Sequence, residues 1–296
     1  LGIKMTVELA VAAENQLGEG VIWSPQLSRV LWADIPGKAM WSFDPATNSH
    51  TKTDLGERLS AVVMLSRSKM LVAFASGLAY VNVETGKLTE ITKIEPDMPT
   101  TRLNDAKLDR QGRFVVGTMD ETEQDRKPIG QVWSFDGRSE PRILFGGVRI
   151  SNGIAFSPDG SLMYFADTPT KRIDVFDYDI ATGTPSNRRV FVELSADSGY
   201  PDGSTVDSEG CLWNAEWGGS RIVRYTPKGK IDRVIALPAP LITCCAFGGP
   251  DLSTLFVTSA RTGLDEKAIA HAPLSGALFA INVGIQGLED APFGSF

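Results

Sequence analysis

One stretch of this chain recurs, and its recurrence leaves few folds open. Ser151-Asn152-Gly153-Ile154-Ala155-Phe156-Ser157-Pro158-Asp159-Gly160 reads as a polar head, a short apolar strand, and a polar turn. Tyr200-Pro201-Asp202-Gly203-Ser204-Thr205-Val206-Asp207-Ser208-Glu209-Gly210 follows the same plan, as does Arg102-Leu103-Asn104-Asp105-Ala106-Lys107-Leu108-Asp109-Arg110-Gln111-Gly112. Leu17-Gly18-Glu19-Gly20-Val21-Ile22-Trp23-Ser24-Pro25 is a fourth copy. Each head carries one oxygen-bearing side chain: Glu19, Asn104, Asn152 or Asp202. The heads at 104, 152 and 202 lie 48 and 50 residues apart.

A period near fifty residues with several short strands per unit is the mark of a propeller and not of a helical solenoid. Strand triplets closed by Pro, Asn, Asp or Gly turns recur at 21–23, 30–34 and 39–44, then at 61–65, 70–75 and 78–83. They return at 106–108, 114–118 and 131–135, and at 154–156, 163–166 and 173–178. The last two sets fall at 204–206, 211–215 and 222–225, and at 244–247, 254–259 and 276–281. A polar strand near 50–54 and a β-rich alternating segment at 6–11 complete the pattern. No linker, low-complexity run or strong helical period interrupts it. The expectation is an all-β, six-bladed β-propeller with four-stranded blades around a central channel, one domain over 1–296. A β-sandwich would not explain the fixed return of the turn-closed triplet.

Composition narrows the partners. Apolar residues make up 42% and charged residues 22%, ordinary for a soluble globular protein. The net charge of −7 argues against nucleic acid, because phosphate binding needs a basic surface. No window approaches a membrane span. Nothing resembles a secretory signal, Met5 is read as the natural start after Leu1–Lys4, and a cytoplasmic location is expected. Cys211, Cys244 and Cys245 form no disulfide framework and read as small buried hydrophobes.

Chemistry is limited by what is missing. The chain has two histidines, His50 and His271, without partners in sequence, so a His-rich zinc or copper site is excluded. No Gly-x-Ser-x-Gly elbow and no Gly-x-Gly-x-x-Gly fingerprint occurs. In a propeller, residues just before the innermost strands converge on the axis. Glu19, Asn152 and Asp202 would bring oxygen donors there, which suit Ca2+, Mg2+, Mn2+ or a carboxylate-bound Zn2+. Asn152-Gly153 and Asp202-Gly203 also read as plain turns. Glu19 between two glycines has less use as a turn residue. Arg102 and Asn104 read either as a salt bridge and a turn within a blade or, beside the channel, as contacts to a hydroxylated substrate. Trp217 with Gly218-Gly219 is either a wall of the site or core.

At these residues the chain resembles the SMP-30/gluconolactonase/luciferin-regenerating-enzyme family, nearly end to end. The resemblance rests on Leu17-Gly18-Glu19-Gly20 with Trp23, Arg102-Leu103-Asn104-Asp105, Gly117-Thr118-Met119, Ser151-Asn152-Gly153, Pro201-Asp202-Gly203, Asp207-Ser208-Glu209-Gly210-Cys211-Leu212-Trp213 and Phe247-Gly248-Gly249. It implies one divalent cation on the axis, Ca2+ first, with Zn2+, Mn2+, Mg2+ and Fe2+ as alternatives. It implies Glu19, Asn152 and Asp202 as the protein ligands, Arg102 and Asn104 as substrate contacts, and Asp202 as general base. An acidic substrate contact follows the Gly-Thr-Met run in that family. In the run Asp120-Glu121-Thr122-Glu123 the register is open, and Glu121 is taken for it. The wording Asn214-Ala215-Glu216-Trp217-Gly218-Gly219 is similar to bacterial sugar-acid lactonases of pentose and hexose oxidation pathways. The implied reaction is hydrolysis of a sugar (aldono-)lactone to the open acid, with a small-molecule lactone as the partner and a monomer as the default. The rivals are an organophosphatase or aryl esterase of the same architecture, a non-enzymatic metal-binding propeller, and a lactone isomerase or lyase.

Overall fold

The sequence marks a triplet of strands in every repeat, and the expected four-stranded blade needs one more. The computed structural model, which describes residues 6–295, shows one in every repeat. Met5, expected as the natural start, lies outside the described residues. Strand β1 (Val7–Val11) comes first and is followed by a sheet of β2 (Gly18–Ser24), β3 (Arg29–Asp34), β4 (Ala39–Asp44) and β5 (Ser49–Asp54). The second sheet is β6 (Leu59–Ser66), β7 (Lys69–Phe74), β8 (Gly77–Asn82) and β9 (Leu88–Lys93). The third is β10 (Thr101–Leu108), β11 (Phe114–Asp120), β12 (Gly130–Phe135) and β13 (Arg142–Val148). The fourth is β14 (Ser151–Phe156), β15 (Leu162–Asp167), β16 (Arg172–Asp179) and β17 (Thr184–Glu193). The fifth is β18 (Tyr200–Val206), β19 (Leu212–Trp217), β20 (Arg221–Tyr225) and β21 (Ile231–Ala236). In the sixth, β22 (Ile242–Gly248), β23 (Thr254–Ser259) and β24 (Leu278–Asn282) are completed by β1, which pairs with β24 through Val7↔Ile281 and Leu9↔Phe279.

The first strands β2, β6, β10, β14, β18 and β22 touch their neighbours in turn, and β22 touches β2, so the ring closes. This is a six-bladed β-propeller. The N-terminal strand seals it by joining the last blade, which ties the two ends of the chain into one sheet.

Apolar burial lies between blades. One cluster joins blades one and two through Leu31, Leu59, Val72 and Phe74. Another joins blades five and six through Trp213, Ile222, Ile242 and Phe279. The remaining four interfaces each have their own cluster. Burying one such side chain contributes roughly 1.5–3 kcal/mol, so every blade is held chiefly by its two neighbours.

The axis carries the feature that matters for function. Each of the six inner strands has a bulge near its start: between Glu19 and Ile22, Leu59 and Ala61, Leu103 and Ala106, Asn152 and Ala155, Pro201 and Ser204, and Ile242 and Cys245. A bulge gives one strand an extra residue and re-aims its side chains. The polar heads therefore belong to the strands and not to loops ahead of them, as the alternation had suggested. The inner strands begin two to five residues earlier than the apolar pattern indicates, because the bulge breaks the two-residue period.

Among the described residues there is one short helix, α1 (Glu266–His271), in the connection between β23 and β24. No helix among them is long and apolar enough to cross a membrane. The three cysteines are buried and free, in accord with their reading as core residues. His50 stacks on Trp41 at 5.8 Å, and His271 closes α1 on the surface.

Candidate functional site

The six bulges place one side chain each toward the axis, and the chemistry of that ring is uneven. In blades two and six the heads are short hydroxyls bound within the scaffold. Ser60 bonds to the Ala73 carbonyl at 3.5 Å, and Thr243 bonds to Gly18 O and to Thr258 Oγ1. The other four blades present Glu19, Asn104, Asn152 and Asp202, the four heads legible in the repeats.

The two amides are oriented by their partners. Thr168 Oγ1 donates to the Pro201 carbonyl at 2.9 Å, so it must accept from Asn152 Nδ2 at 2.8 Å. That fixes the Asn152 amide with Oδ1 on the opposite side, where it accepts from Asn104 Nδ2 at 3.0 Å. Asn104 Nδ2 also donates to Ser151 O at 2.8 Å, and Asn104 Oδ1 accepts from Arg102 Nη1 at 2.7 Å. Both Nδ2 protons of Asn104 are thus spent inside the protein. What it can offer a ligand is a remaining lone pair on Oδ1.

The carboxylates are not satisfied in this way. Asp202 is 4% exposed, and its Oδ1 has no hydrogen-bond partner among the described residues. Glu19 Oε2 accepts only from the adjacent Gly20 N–H, at 3.2 Å. Burial pushes the Glu19 carboxyl up to about 8, and the charge of Asp105 adds to the rise. Glu19 keeps some contact with solvent. Burial also raises Asp202 well above the carboxylate range, with the charges of Glu19 and Asp105 adding to it. Asp105 is pushed up to about 6, again by burial first. Glu19 and Asp202, enclosed acids that repel one another and find few donors, form a site that a cation would complete.

The donor set fits such a cation: two carboxylates and an amide carbonyl, all hard oxygens. Glu19, Asn152 and Asp202 are the residues that could hold it. Among the described residues no three His, Cys, Asp or Glu side chains form a metal-binding group, and the third donor here is the Asn152 amide.

Above this centre lies a charged rim. Asp120 turns inward and caps its own loop, accepting from Thr122 N at 3.1 Å and Lys127 N at 2.8 Å. The Glu121 N–H donates to Thr100 O at 2.8 Å. Glu121 is thereby brought to Arg102, whose Nε donates to Oε1 at 3.1 Å. Arg58 grips the same carboxylate from the other side, Nη1 to Oε1 at 2.6 Å and Nη2 to Oε2 at 2.9 Å. Arg102 is 6% exposed, and burial lowers its pKa against the opposing pull of Glu121. The structure thus brings Glu19, Arg102, Asn104, Glu121, Asn152 and Asp202 into one region. Trp217 stands apart from this network, half-buried at the end of β19 and bridged to Leu241.

Three neighbours of the site were not singled out from sequence. Asp105 follows a head directly, and its place in the repeated motif could have marked it. Thr168 and Arg58 lie outside the inner strands, where no repeat signal reaches.

Below the ring the channel holds a cavity of about 110 Å3, lined by Asp105, Lys107, Thr205, Cys244 and the C-terminal segment. That segment crosses the foot of the propeller. Gly287 bridges to Asp207, Asp290 pairs with Lys107 at 3.5 Å, and Gly294 N donates to Gly112 O at 3.0 Å.

Fold and centre together define a class: six-bladed propellers with an acid-and-amide oxygen centre on the axis. The chain belongs to the SMP-30/gluconolactonase/LRE-like family, whose sequence pattern matches residues 17–261. It is 37% identical over 287 residues to the L-arabinolactonase of Azospirillum brasilense, spanning 96% of this chain and 94% of that protein. It is 34% identical over 290 residues to the 6-deoxy-6-sulfogluconolactonase of Pseudomonas putida, spanning 97% and 98%. A solved structure of a calcium-binding protein, regucalcin from Agrobacterium tumefaciens, matches with a TM-score of 0.93 at 32% identity, covering 98% of this chain and 97% of that one.

Proposed function

We propose that this protein is a carboxylic-ester hydrolase of the lactonase type, which opens a sugar (aldono-)lactone to its aldonic acid with one divalent cation held by Glu19, Asn152 and Asp202. The observation that carries the reading is the buried Asp202 carboxylate, whose Oδ1 has no protein partner, beside Glu19 and under the Arg102–Glu121 rim. The names of the two lactonases support the substrate class, and the calcium-binding regucalcin supports Ca2+ as the first choice of cation.

When bound, a divalent cation at this centre supplies Lewis acidity toward an ester carbonyl and offsets the charge that develops on its oxygen. The chain's own residues do the rest. Asp202 Oδ1 accepts a proton from the water that attacks the lactone carbonyl. The ring C–O bond then breaks, and the alkoxide so formed takes that proton from Asp202 to become the hydroxyl of the open acid, which returns Asp202 to its carboxylate. Arg102 Nη2 has no protein partner among the described residues and donates to a sugar hydroxyl. Glu121 accepts from a second hydroxyl, and the Asn104 lone pair from a third. Holding the ring this way removes part of the entropic barrier to attack. A lactone is the product of oxidation at a sugar's anomeric carbon, so a dehydrogenase acting on a free sugar supplies this substrate.

The test is acid release in a pH-stat from glucono-, galactono-, xylono- and arabinono-lactones, in 1,4 and 1,5 forms. EDTA-stripped protein is assayed before and after addition of Ca2+, Mg2+, Mn2+, Fe2+ or Zn2+. Acid release restored by a cation on one or two sugars is the expected result. Cation binding without turnover across the panel would overturn the lactonase reading and leave the metal centre.

A further inference from the structure

The position one residue past each head forms a second ring beneath the first. Around the axis it reads Gly20, Ala61, Asp105, Gly153, Gly203 and Cys244. Five of the six are small, and packing explains why. A Cβ on Gly20 would lie 2.2 Å from the Ser60 carbonyl oxygen, and one on Gly203 would lie 2.6 Å from Cys244 Sγ. Only blade three sends a charged side chain into this crowded layer.

That side chain crosses to the next blade. Asp105 Oδ2 accepts from the Ile154 N–H at 2.8 Å, and the Gly153 amide also bonds to the carboxylate. Gly153 and Ile154 are the residues that the β14 bulge takes out of register with β15. Gly153 sits at φ +64°, a left-handed conformation that needs no Cβ penalty here but does need a reason to persist. Their buried amides lose ladder partners and turn to Asp105 instead. On the other side of Asn152, the preceding residue of the same blade-three strand acts in parallel. Asn104 Nδ2 donates to Ser151 O at 2.8 Å and to Asn152 Oδ1 at 3.0 Å. Two consecutive residues of β10 therefore grip the backbone before and after Asn152.

We propose that Asp105 is a positioning residue for the cation centre: by accepting the Gly153 and Ile154 amides it fixes the bulge that aims the Asn152 amide oxygen at the axis. This rests on the reading of Glu19, Asn152 and Asp202 as cation ligands. Asp105 acts through Asn152, and its negative charge is secondary to its role as an acceptor.

The experiment is calorimetric titration of Ca2+ into EDTA-stripped protein for wild type, Asp105→Ala, Asn152→Ala and the double variant, each checked for fold by circular dichroism. If wild type binds no Ca2+, the titrations are repeated with Mg2+, Mn2+, Fe2+ and Zn2+, and if it binds none of the five the cation centre and this inference fall together. If it binds, Asp105→Ala is expected to weaken Kd about tenfold to a hundredfold, as loss of a partner that orients a ligand does. The double variant is then expected to bind within about twofold of Asn152→Ala alone, because two residues acting through one contact are not additive. An unchanged Kd in Asp105→Ala, or effects that multiply in the double variant, would sink the positioning role while leaving the centre standing. Should Asp105→Ala not fold, or Asn152→Ala bind too weakly to measure, Asp105→Asn decides. It keeps an oxygen for the Ile154 N–H, so a Kd within about threefold of wild type supports positioning, and a loss of about tenfold or more, typical of a broken ligand support, overturns it.

Discussion

Buried carboxylates occur at two levels of the inner strands, and they live under opposite conditions. Five residues past the heads, at the foot of blades three and five, stand Asp109 and Asp207. Asp207 accepts from the Glu209 and Cys211 amides at 3.0 Å each, and from Trp213 Nε1 and Arg224 Nε at 2.8 Å each. Asp109 accepts from the Gln111 and Arg113 amides at 2.9 Å, from Arg113 Nη1 at 2.8 Å and from the Tyr178 hydroxyl at 3.0 Å. Both are as buried as Asp202. Yet Asp202 keeps an oxygen with no donor, and Glu19 has only its neighbour's amide. A buried charge is tolerated when its lone pairs are filled. At the foot the protein fills them itself and gains a rigid turn. At the head it leaves an oxygen of Asp202 unfilled, the observation on which the proposed cation rests.

The sharpest test sets one acid against the other. Asp202→Ala is expected to lower kcat by about a thousandfold, within the range for loss of a general base, with the propeller intact by circular dichroism. Turnover near the wild-type rate would remove Asp202 from the chemistry. Asp207→Ala is expected to do the reverse. Breaking a buried pair from one side costs about 3–5 kcal/mol, here because Arg224 loses its most buried partner, though Glu209 and Asp232 still reach it. Urea unfolding measures that loss, and kcat of the folded fraction should stay at the wild-type value. Equal destabilisation by the two substitutions would erase the contrast between the levels.

Metal removal gives a smaller effect of the same kind. A cation that binds only the folded state adds about 2.7 kcal/mol at a hundred times its Kd. The melting temperature of EDTA-stripped protein should therefore climb with added Ca2+ in wild type and not in Glu19→Gln. A climb that survives Glu19→Gln would place the cation elsewhere. The smallest expected effect lies at the rim. Arg58 and Glu121 are both partly exposed, so Arg58→Ala should change stability by less than about 1 kcal/mol. It frees Glu121 from one of its two arginines, so KM for the lactone should rise several-fold while kcat holds. A fall in kcat with KM unchanged would move Arg58 from placing Glu121 to the chemical step.

The fold was largely legible, and the places where it was not are instructive. The inner three strands of most blades bury successive residues in turn against one neighbouring blade and the other, so they survive in the sequence as short apolar runs. The outer strands β9, β13, β17 and β21 were not marked individually, because they face solvent on most of their length and alternate little. The role of β1 as the fourth strand of the last blade depends on a pairing across nearly the whole chain, which no local signal carries. Site residues on the repeats were visible because equivalence exposed them. Glu121 was visible only by resemblance; the structure brings it to Arg102, while its neighbour Asp120 caps its own loop.

The sequence by itself determined the six-fold repeat, the all-β architecture, and the oxygen-bearing head in each of four blades, because these follow from local alternation, turn chemistry and periodic spacing. The tertiary structure decided what those heads become. Ser60 and Thr243 stand at the same repeat position as Glu19 and Asp202 but are bound within the scaffold. Arg58 meets Glu121 across 63 residues, and Asp105 meets Ile154 across 49. Whether a polar group is satisfied or left wanting depends on partners that only packing supplies, some from strands of the same blade, as at Asp207, and some from the next blade, as at Asp105.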